Sequence, residues 1–173
     1  MVKATEEAAT AVADRELDRA RLVAAAVPDP EIPVVTVADL GILRRIERLA
    51  DGSIDVAVSP TYTGCPATSA IVLAIETALR DAGIQSARVR LVLAPPWTTD
   101  DITEDGRRKL LAYGIAPPAA KGRGSLLFAS ETVACPRCGS EATTRISDFG
   151  ATPCKALWRC TDCREPFEYF KCL

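Results

Sequence analysis

The chain has 173 residues with a formal net charge of −2, and 48 % of the residues are hydrophobic, which is the composition of a globular protein. It contains no histidine, so it cannot form a Ser-His-Asp triad, a His-ligated catalytic zinc or a Glu-x-x-His di-iron site. The near balance of charges also disfavours nucleic-acid binding, because nucleic-acid-binding domains normally carry an excess of Lys and Arg.

The first predicted element is an N-terminal helix. Residues 5–26 are rich in alanine and place Leu17, Leu22 and Val23 on one face, a pattern typical of an amphipathic helix. Three prolines between residues 28 and 33 end it, because proline cannot continue a helix. The region lacks the apolar core of a signal peptide, and no apolar run reaches the roughly 18 residues of a membrane helix. We therefore expect a cytoplasmic protein that does not enter a membrane.

A β-hairpin is predicted next. Residues 42–49 and 53–59 flank the dipeptide Asp51-Gly52, which is typical of a hairpin turn. In the second of these strands Ile and Val alternate with polar or small residues. This alternation predicts one buried face.

The hairpin is followed by a helix and a third strand. Residues 66–82 predict the helix, with Pro66 in its first turn, where no amide donor is needed. Residues 86–94 predict the strand, with Val89, Leu91 and Leu93 on its apolar face. The order strand, helix, strand predicts a crossover unit in a mixed sheet.

The last predicted helix begins near a capping-box pattern formed by Asp101 and Glu104. We expect it to end at about Tyr113, because Gly114 is a suitable residue for terminating a helix.

A change in composition then predicts a domain boundary. Residues 117–124 contain two prolines and two glycines, which is typical of a linker. We predict an α/β domain at residues 1–116, with helices packed on a mixed sheet that contains a hairpin and a βαβ crossover. Residues 125–173, where cysteines, turn residues and short strands replace helices, are predicted to form a second domain.

The second domain has the cysteine spacing of a zinc ribbon. It contains two CxxC pairs, which can converge on one tetrahedral ion. The predicted metal ligands are Cys135, Cys138, Cys160 and Cys163. Four thiolates close the coordination shell, so we favour a structural zinc over a catalytic or redox metal.

Two further cysteines lie close to these pairs in the sequence. Cys154 and Cys172 are interpreted as small buried apolar residues, the commoner fate of a free cysteine. The alternative is that they join the cysteines of the two CxxC pairs as additional ligands of an iron–sulfur cluster.

Cys65 is the only cysteine outside the C-terminal region. If the second helix begins at Pro66, Cys65 is its N-cap, where free amides and the helix dipole stabilise a thiolate. Such a thiolate can attack an electrophile or hold a soft metal such as iron, and transient or dimer-shared metal binding is the expectation. The alternative is a buried capping residue. No histidine is present to act as a base, which disfavours a cysteine hydrolase.

Other polar and aromatic residues receive structural interpretations. Asp39 is expected to cap a turn, and Asp29 and Glu31 are expected to be solvated loop charges. Trp97 is expected to pack at the edge of the core.

Four segments of the first domain carry a family resemblance. They comprise residues 29–33, 39–41, 63–66 and 95–98. In this order and spacing they resemble the metal–sulfur cluster assembly domain family, over about residues 15–115.

The resemblance implies an α/β domain whose relatives help to build or transfer iron–sulfur clusters. It implies that Cys65, in a Gly-Cys-Pro element, is the functional thiol. Asp39, Thr63 and Gly64 are implied as supporting residues.

The C-terminal region indicates a more specific family. Residues 135–140, 149–157 and 165–172 resemble the PaaD family of phenylacetyl-CoA epoxidase components, so that nearly the whole chain is covered. One departure from the family pattern is Pro153, which stands before Cys154 where a small residue is expected. This departure weakens any metal-binding role for Cys154.

The resemblance implies a non-catalytic accessory subunit of a multicomponent monooxygenase in phenylacetate degradation. Its partners would be the di-iron catalytic subunit and the iron–sulfur flavin reductase, and it would assist their iron or iron–sulfur maturation. Zinc in the ribbon and a transient iron or iron–sulfur cluster are the implied cofactors, and a homodimer is one implied assembly. An electron-transfer component of the same complex is the alternative, whereas nucleic acid is not expected as a partner.

Overall fold

A computed structural model describes residues 2–62, 64–118 and 132–171, with the side chains of the first helix described from residue 14 onward. No helix within these residues is long and apolar enough to cross a membrane. The described chain forms three α-helices, one short 3-10 helix and seven strands in two sheets.

The N-terminal helix α1 spans Val2–Ala25. Its fully buried side chains are Ala20 and Ala24, and Leu17 and Val23 are partly buried against the same core. Leu22 is 74 % exposed, so its predicted place on the buried face was wrong. Leu22 is two residues from each of the buried Ala20 and Ala24, which places it on the opposite side of the helix.

The first sheet contains the predicted hairpin and crossover. Strands β1 (Leu43–Arg48) and β2 (Ile54–Val58) are antiparallel, and β3 (Ala87–Leu91) pairs with β2 in parallel. Helix α2 (Thr68–Asp81) connects β2 to β3. A mixed sheet with a βαβ crossover is therefore confirmed.

Strand β2 lies in the middle of this sheet, and all five of its residues are buried. The alternation in the sequence predicted only one buried face. The second face is covered because Arg90 extends over Asp55, with 2.7 Å between the guanidinium Nε and a carboxylate oxygen. The ion pair thus allows a charged residue to occupy the centre of the sheet.

The outer strand β3 is less buried than its sequence predicted. Leu91 and Leu93 are 49 % and 65 % exposed, and Leu73 of the neighbouring helix α2 is 60 % exposed. Because β3 is an edge strand, only β2 and α2 cover it. The predicted buried face of this strand is therefore only partly formed.

The last helix, α3, spans Glu104–Tyr113 and ends at Gly114, which has a φ of 92°. Its N-cap is Thr103, whose hydroxyl accepts a hydrogen bond from the Gly106 N–H. The predicted capping box of Asp101 and Glu104 was wrong. Asp101 instead forms a capping box with Thr98 around the 3-10 helix Thr99–Asp101.

The second sheet has the strand order β4-β7-β6-β5. Strands β5 (Thr143–Ser147), β6 (Lys155–Cys160) and β7 (Pro166–Phe170) are antiparallel and form the ribbon. The two-residue strand β4 (Ile115–Ala116) comes from the end of the α/β half and pairs in parallel with β7.

The two halves of the chain share buried contacts. Phe170, at the end of β7, is only 1 % exposed and belongs to the hydrophobic core of the α/β half. Its ring lies 6.1 Å from that of Trp97, centroid to centroid. Trp97 is buried and donates a hydrogen bond from its indole N–H to the Leu40 carbonyl, at 2.7 Å. The predicted core position of Trp97 is confirmed, while the boundary at residues 117–124 stays a prediction.

Candidate functional site

The four cysteines of the CxxC pairs lie together at one end of the ribbon. All four sulfur atoms are within 4.8 Å of one another. The sulfur of Cys135 is 3.7 Å from that of Cys163, and the sulfur of Cys138 is 3.6 Å from that of Cys160. This arrangement is a candidate metal centre, and it is the only group of at least three potential ligands that approach one another so closely among the described residues.

The sulfur spacing fits one tetrahedral ion. With metal–sulfur bonds of about 2.3 Å, the ligands of a tetrahedral zinc lie about 3.8 Å apart. In an iron–sulfur cluster the thiolates bind different irons and are spread more widely. The donor set therefore fits a single ion in a closed four-thiolate shell.

Two similar turns hold these sulfurs in place. The Cys135 N–H donates to the Ser140 carbonyl at 2.9 Å, and the Cys160 N–H donates to the Glu165 carbonyl at 3.0 Å. Each turn contains a positive φ four residues after its first cysteine, 74° at Gly139 and 66° at Arg164. The N–H of Cys163 lowers the pKa of Cys160 to about 7, whereas burial and the neighbouring sulfurs leave the pKa values of Cys138 and Cys163 raised.

Cys154 lies outside the four-cysteine cluster. It is half-buried and packs against the core of the α/β half. This packing agrees with the interpretation of Cys154 as a small apolar residue, and it disfavours the alternative of an additional ligand at the metal centre of the ribbon. Cys172, the second such candidate, lies outside the described residues.

Cys65 is not the N-cap of α2. The helix begins at Thr68 and its N-cap is Ala67, so Cys65 lies in the preceding turn, where its N–H donates to the Tyr62 carbonyl at 3.2 Å. Pro66 belongs to that turn and not to the helix. The argument that Cys65 receives the full effect of the helix N-terminus was therefore wrong, since that effect is confined to the first turn.

Cys65 and Cys154 line the same cavity. Its volume is about 40 Å³, enough for an ion or a few water molecules. Asp29, Glu31, Thr61 and Thr152 are among the polar residues that line it. The other walls are mostly apolar, and they include Ile32, Leu40, Ile42, Val58, Ile71 and Phe170. No sequence pattern indicated this cavity, because its residues come from both halves of the chain.

Asp29 is a buried acid in this wall. The residue is only 6 % exposed, so the expectation of a solvated loop charge was wrong. One carboxylate oxygen, Oδ1, accepts the N–H of Glu31 at 2.9 Å and of Ile32 at 2.8 Å. Burial nevertheless raises the pKa of Asp29. The local signal for this turn was an aspartate two residues before Glu31, since aspartate commonly accepts such N–H groups.

The electrostatic environment links the two cysteines. Burial raises the pKa of the Cys154 thiol, and negative charge on Cys65 and on Asp29 raises it further, whereas Lys155 acts in the opposite direction. The pKa of Tyr62 is also raised, first by burial and then by Cys65 and Cys154. Burial therefore favours the neutral form of the Cys154 thiol.

The proposed supporting residues have different positions. Asp39 does not line the cavity. Its carboxylate accepts the N–H of Thr36 at 2.8 Å and lies 2.7 Å from the Lys109 ammonium, so it closes a turn, as one interpretation of the sequence expected. Gly64 is exposed and has a φ of 90°, while Thr63 lies outside the described residues.

Two family descriptions match the chain in succession. Residues 23–92 match the family described as iron-sulfur cluster assembly protein, and residues 119–171 match the PaaD zinc beta ribbon domain. The second match agrees with the four-cysteine cluster of the ribbon.

Individual relatives agree with these matches. The chain is 49 % identical over 147 residues to a protein of Escherichia coli (strain K12) that is named as the D component of 1,2-phenylacetyl-CoA epoxidase, covering 85 % of this chain and 87 % of the relative. It is 32 % identical over 85 residues to an Fe-S protein maturation auxiliary factor of Porphyromonas gingivalis (strain ATCC BAA-308 / W83), covering 49 % and 80 %.

A solved structure resembles the α/β half. The crystal structure of a domain of unknown function, DUF59, from Bacillus anthracis matches with a TM-score of 0.50 and 21 % identity, covering 56 % of this chain and 92 % of that one. This likeness concerns the fold alone.

Proposed function

The chain belongs to the PaaD family of phenylacetyl-CoA epoxidase components, and we propose that it is a non-catalytic accessory subunit that assists iron or iron–sulfur maturation of the oxygenase or its reductase. The partners in this proposal are the catalytic and reductase subunits of the epoxidase. A cytoplasmic location and a homodimer belong to the same proposal.

One observation carries the maturation role. The part of the chain that matches iron–sulfur assembly and maturation proteins also contains Cys65, the one cysteine outside the C-terminal region. Cys65 is half-buried and lines a cavity whose lining also includes the buried Asp29. A thiolate and a carboxylate are suitable ligands for an iron ion that must later be released.

The ribbon has a different role in this proposal. Four thiolates leave no coordination position for a substrate, so we assign it a structural zinc. A ribbon of this size has too little core to fold unaided, and metal binding supplies stability that its small core lacks. Zinc is preferred to iron because the family description of this region names a zinc ribbon.

The absence of histidine supports a non-catalytic role. The di-iron carboxylate sites of helical bundles use Glu-x-x-His motifs, which this chain cannot provide. We therefore assign epoxidation to the catalytic subunit and place the role of this chain before turnover begins.

An electron-transfer component is the second candidate, because the four ribbon sulfurs would also accept one redox-active iron. The two functions differ in when the chain is needed. Epoxidase is produced together with this chain, separated from it, and assayed for turnover of phenylacetyl-CoA. Retained turnover supports maturation, whereas lost turnover that returns when the chain is added back supports electron transfer.

A further inference from the structure

A loop of the ribbon covers one side of the cavity that Cys65 lines. Thr152, Pro153 and Cys154 of this loop line the cavity, and they stand directly before β6. We propose that residues 150–154, the lid loop, form a movable lid over the Cys65 site, and that this lid must open before a client protein can reach the thiol. This inference rests on the proposed function, in which Cys65 handles iron.

The closed site is too small for a client protein. Cys65 is half-buried, and the cavity that it lines has a volume of about 40 Å³. Such a volume holds an ion or a few water molecules, but no side chain of a second protein. Transfer to or from a client therefore requires an opening, and the lid loop is the wall that can provide it.

The remaining walls of the cavity are fixed. Phe170 is 1 % exposed and lies in the core of the α/β half, and its strand β7 also pairs with β4 of that half. The other lining residues outside the lid loop belong to the α/β half itself. The lid loop, by contrast, lies outside the strands and helices, so it can move without disrupting a sheet.

Contacts with the end of β7 hold the lid loop closed. The Glu168 carboxylate accepts the Ala151 N–H at 2.7 Å and pairs with the Lys155 ammonium at 2.6 Å. The Cys154 carbonyl accepts the N–H of Lys171 at 3.0 Å, and the Cys154 side chain packs against the core of the α/β half. These contacts favour the closed arrangement, and the loss of one of them should raise the fraction of open molecules.

Glu168 is the contact that a substitution can remove most cleanly. It neither lines the cavity nor belongs to the four-cysteine cluster. The loop approaches this carboxylate closely, since a Cβ on Gly150 would lie 2.7 Å from Oε1 of Glu168. Hydrogen bonds to an ionised group are roughly twice as strong as those between neutral groups. Replacing Glu168 should therefore loosen the lid loop while the cavity residues and the metal ligands stay unchanged.

The metal centre lies at the other end of the same strand. Strand β6 runs from Lys155, which follows the lid loop, to Cys160 of the metal centre. Five steps along a strand span roughly 16 Å. Opening of the lid loop thus leaves the metal centre intact, and metal retention reports that the ribbon of a variant is folded.

Alkylation of Cys65 measures the opening. The full zinc-loaded chain is treated with N-ethylmaleimide, and the rate of modification at Cys65 is measured by mass spectrometry of its peptide. We expect Glu168→Ala to raise this rate by roughly tenfold, the factor that corresponds to the loss of one charge-assisted hydrogen bond when the loop recloses faster than the reagent reacts. Glu168→Gln keeps an acceptor but loses the charge, so its rate should lie between those of Glu168→Ala and the parent chain.

Glu165→Ala is the matched control. Glu165 is exposed, and among the described residues its side chain makes no hydrogen bond or ion pair with the lid loop, so the rate at Cys65 should equal that of the parent chain. Zinc content and the urea midpoint are measured for each variant. Where Glu168→Ala does not retain zinc, Glu168→Gln carries the test.

An unchanged rate at Cys65 in a Glu168 variant that retains zinc would overturn the inference. A rate in the parent chain equal to that in the urea-unfolded chain would overturn it as well. Either result leaves the proposed function to be judged by epoxidase iron content. Conversely, faster alkylation of the Glu168 variants together with full epoxidase iron in a Cys65 variant would contradict the proposed function alone.

Discussion

Phe170 provides the most direct test of the packing between the ribbon and the α/β half. A buried phenylalanine removes about 150–250 Å² from water, which at about 25 cal/mol/Å² corresponds to about 4–6 kcal/mol. Partial relaxation around the resulting cavity reduces this upper value, and measured Phe→Ala substitutions in cores cost about 3–5 kcal/mol. Because Phe170 is 1 % exposed and lies 6.1 Å from Trp97, we expect Phe170→Ala to lower the free energy of unfolding by about 3–5 kcal/mol.

The assay is urea unfolding of the metal-loaded chain, followed by tryptophan fluorescence and far-UV circular dichroism. Phe149→Ala is the matched control, because Phe149 is 65 % exposed. Its ring makes a cation–π contact with Lys171, whose ammonium nitrogen lies 4.6 Å from the ring centroid. It should cost no more than about 1 kcal/mol. Equal effects of the two substitutions, or a loss below about 1 kcal/mol for Phe170→Ala, would show that the ribbon does not contribute to the core of the α/β half.

Contacts in the two halves lead to three further predictions. In a Trp158→Phe variant the fluorescence of Trp97 reports unfolding of the α/β half alone. Chelating the ribbon metal should lower the urea midpoint that Trp97 reports, because Phe170 links the ribbon to the core of the α/β half. An unchanged midpoint would contradict this. Burial would raise the pKa of Asp39, but hydrogen bonds from Lys109 and Thr36 outweigh it and leave the pKa lowered. Asp39→Asn should therefore lower the free energy of unfolding by about 1 kcal/mol at pH 7. This loss relative to the parent chain should shrink as the pH falls below 3.8, the ordinary pKa of aspartate, and through the lowered pKa of Asp39 in the folded chain. A loss that does not change with pH would refute the ion pair. Gly41→Ala should destabilise more than Gly83→Ala in thermal unfolding. Both have a positive φ, which costs about 1–2 kcal/mol for alanine, but only at position 41 would a Cβ clash with backbone, 2.2 Å from the Asp101 carbonyl oxygen.

Local patterns were sufficient to predict most of the fold. The alternation around β2, the Asp51-Gly52 turn and the helix predicted between the second and third strands correspond to a hairpin and a crossover helix. Errors occurred where tertiary packing decides the outcome. Leu22 is exposed because it lies on the side of α1 opposite the buried alanines, and the central strand is buried on both faces because Arg90 covers Asp55.

The candidate sites differed in how far sequence could predict them. Cysteines in CxxC pairs are close by spacing alone, so the ribbon ligands could be named from their positions in the chain. The cavity joins Asp29, Cys65 and Cys154 from distant segments, and no local pattern records that proximity. The position of Cys65 was misjudged because a proline is acceptable both in a first helical turn and in the turn before it.

The maturation role of Cys65 is the central claim, and the iron content of the client enzymes tests it most directly. Epoxidase catalytic and reductase subunits are produced with the parent chain, without it, and with the Cys65→Ser variant, and iron per subunit is measured after purification. We predict full iron only with the parent chain, and low iron in the other two preparations. Full iron in the Cys65→Ser preparation, with the variant shown to be folded by its ribbon metal and urea midpoint, would contradict the claim.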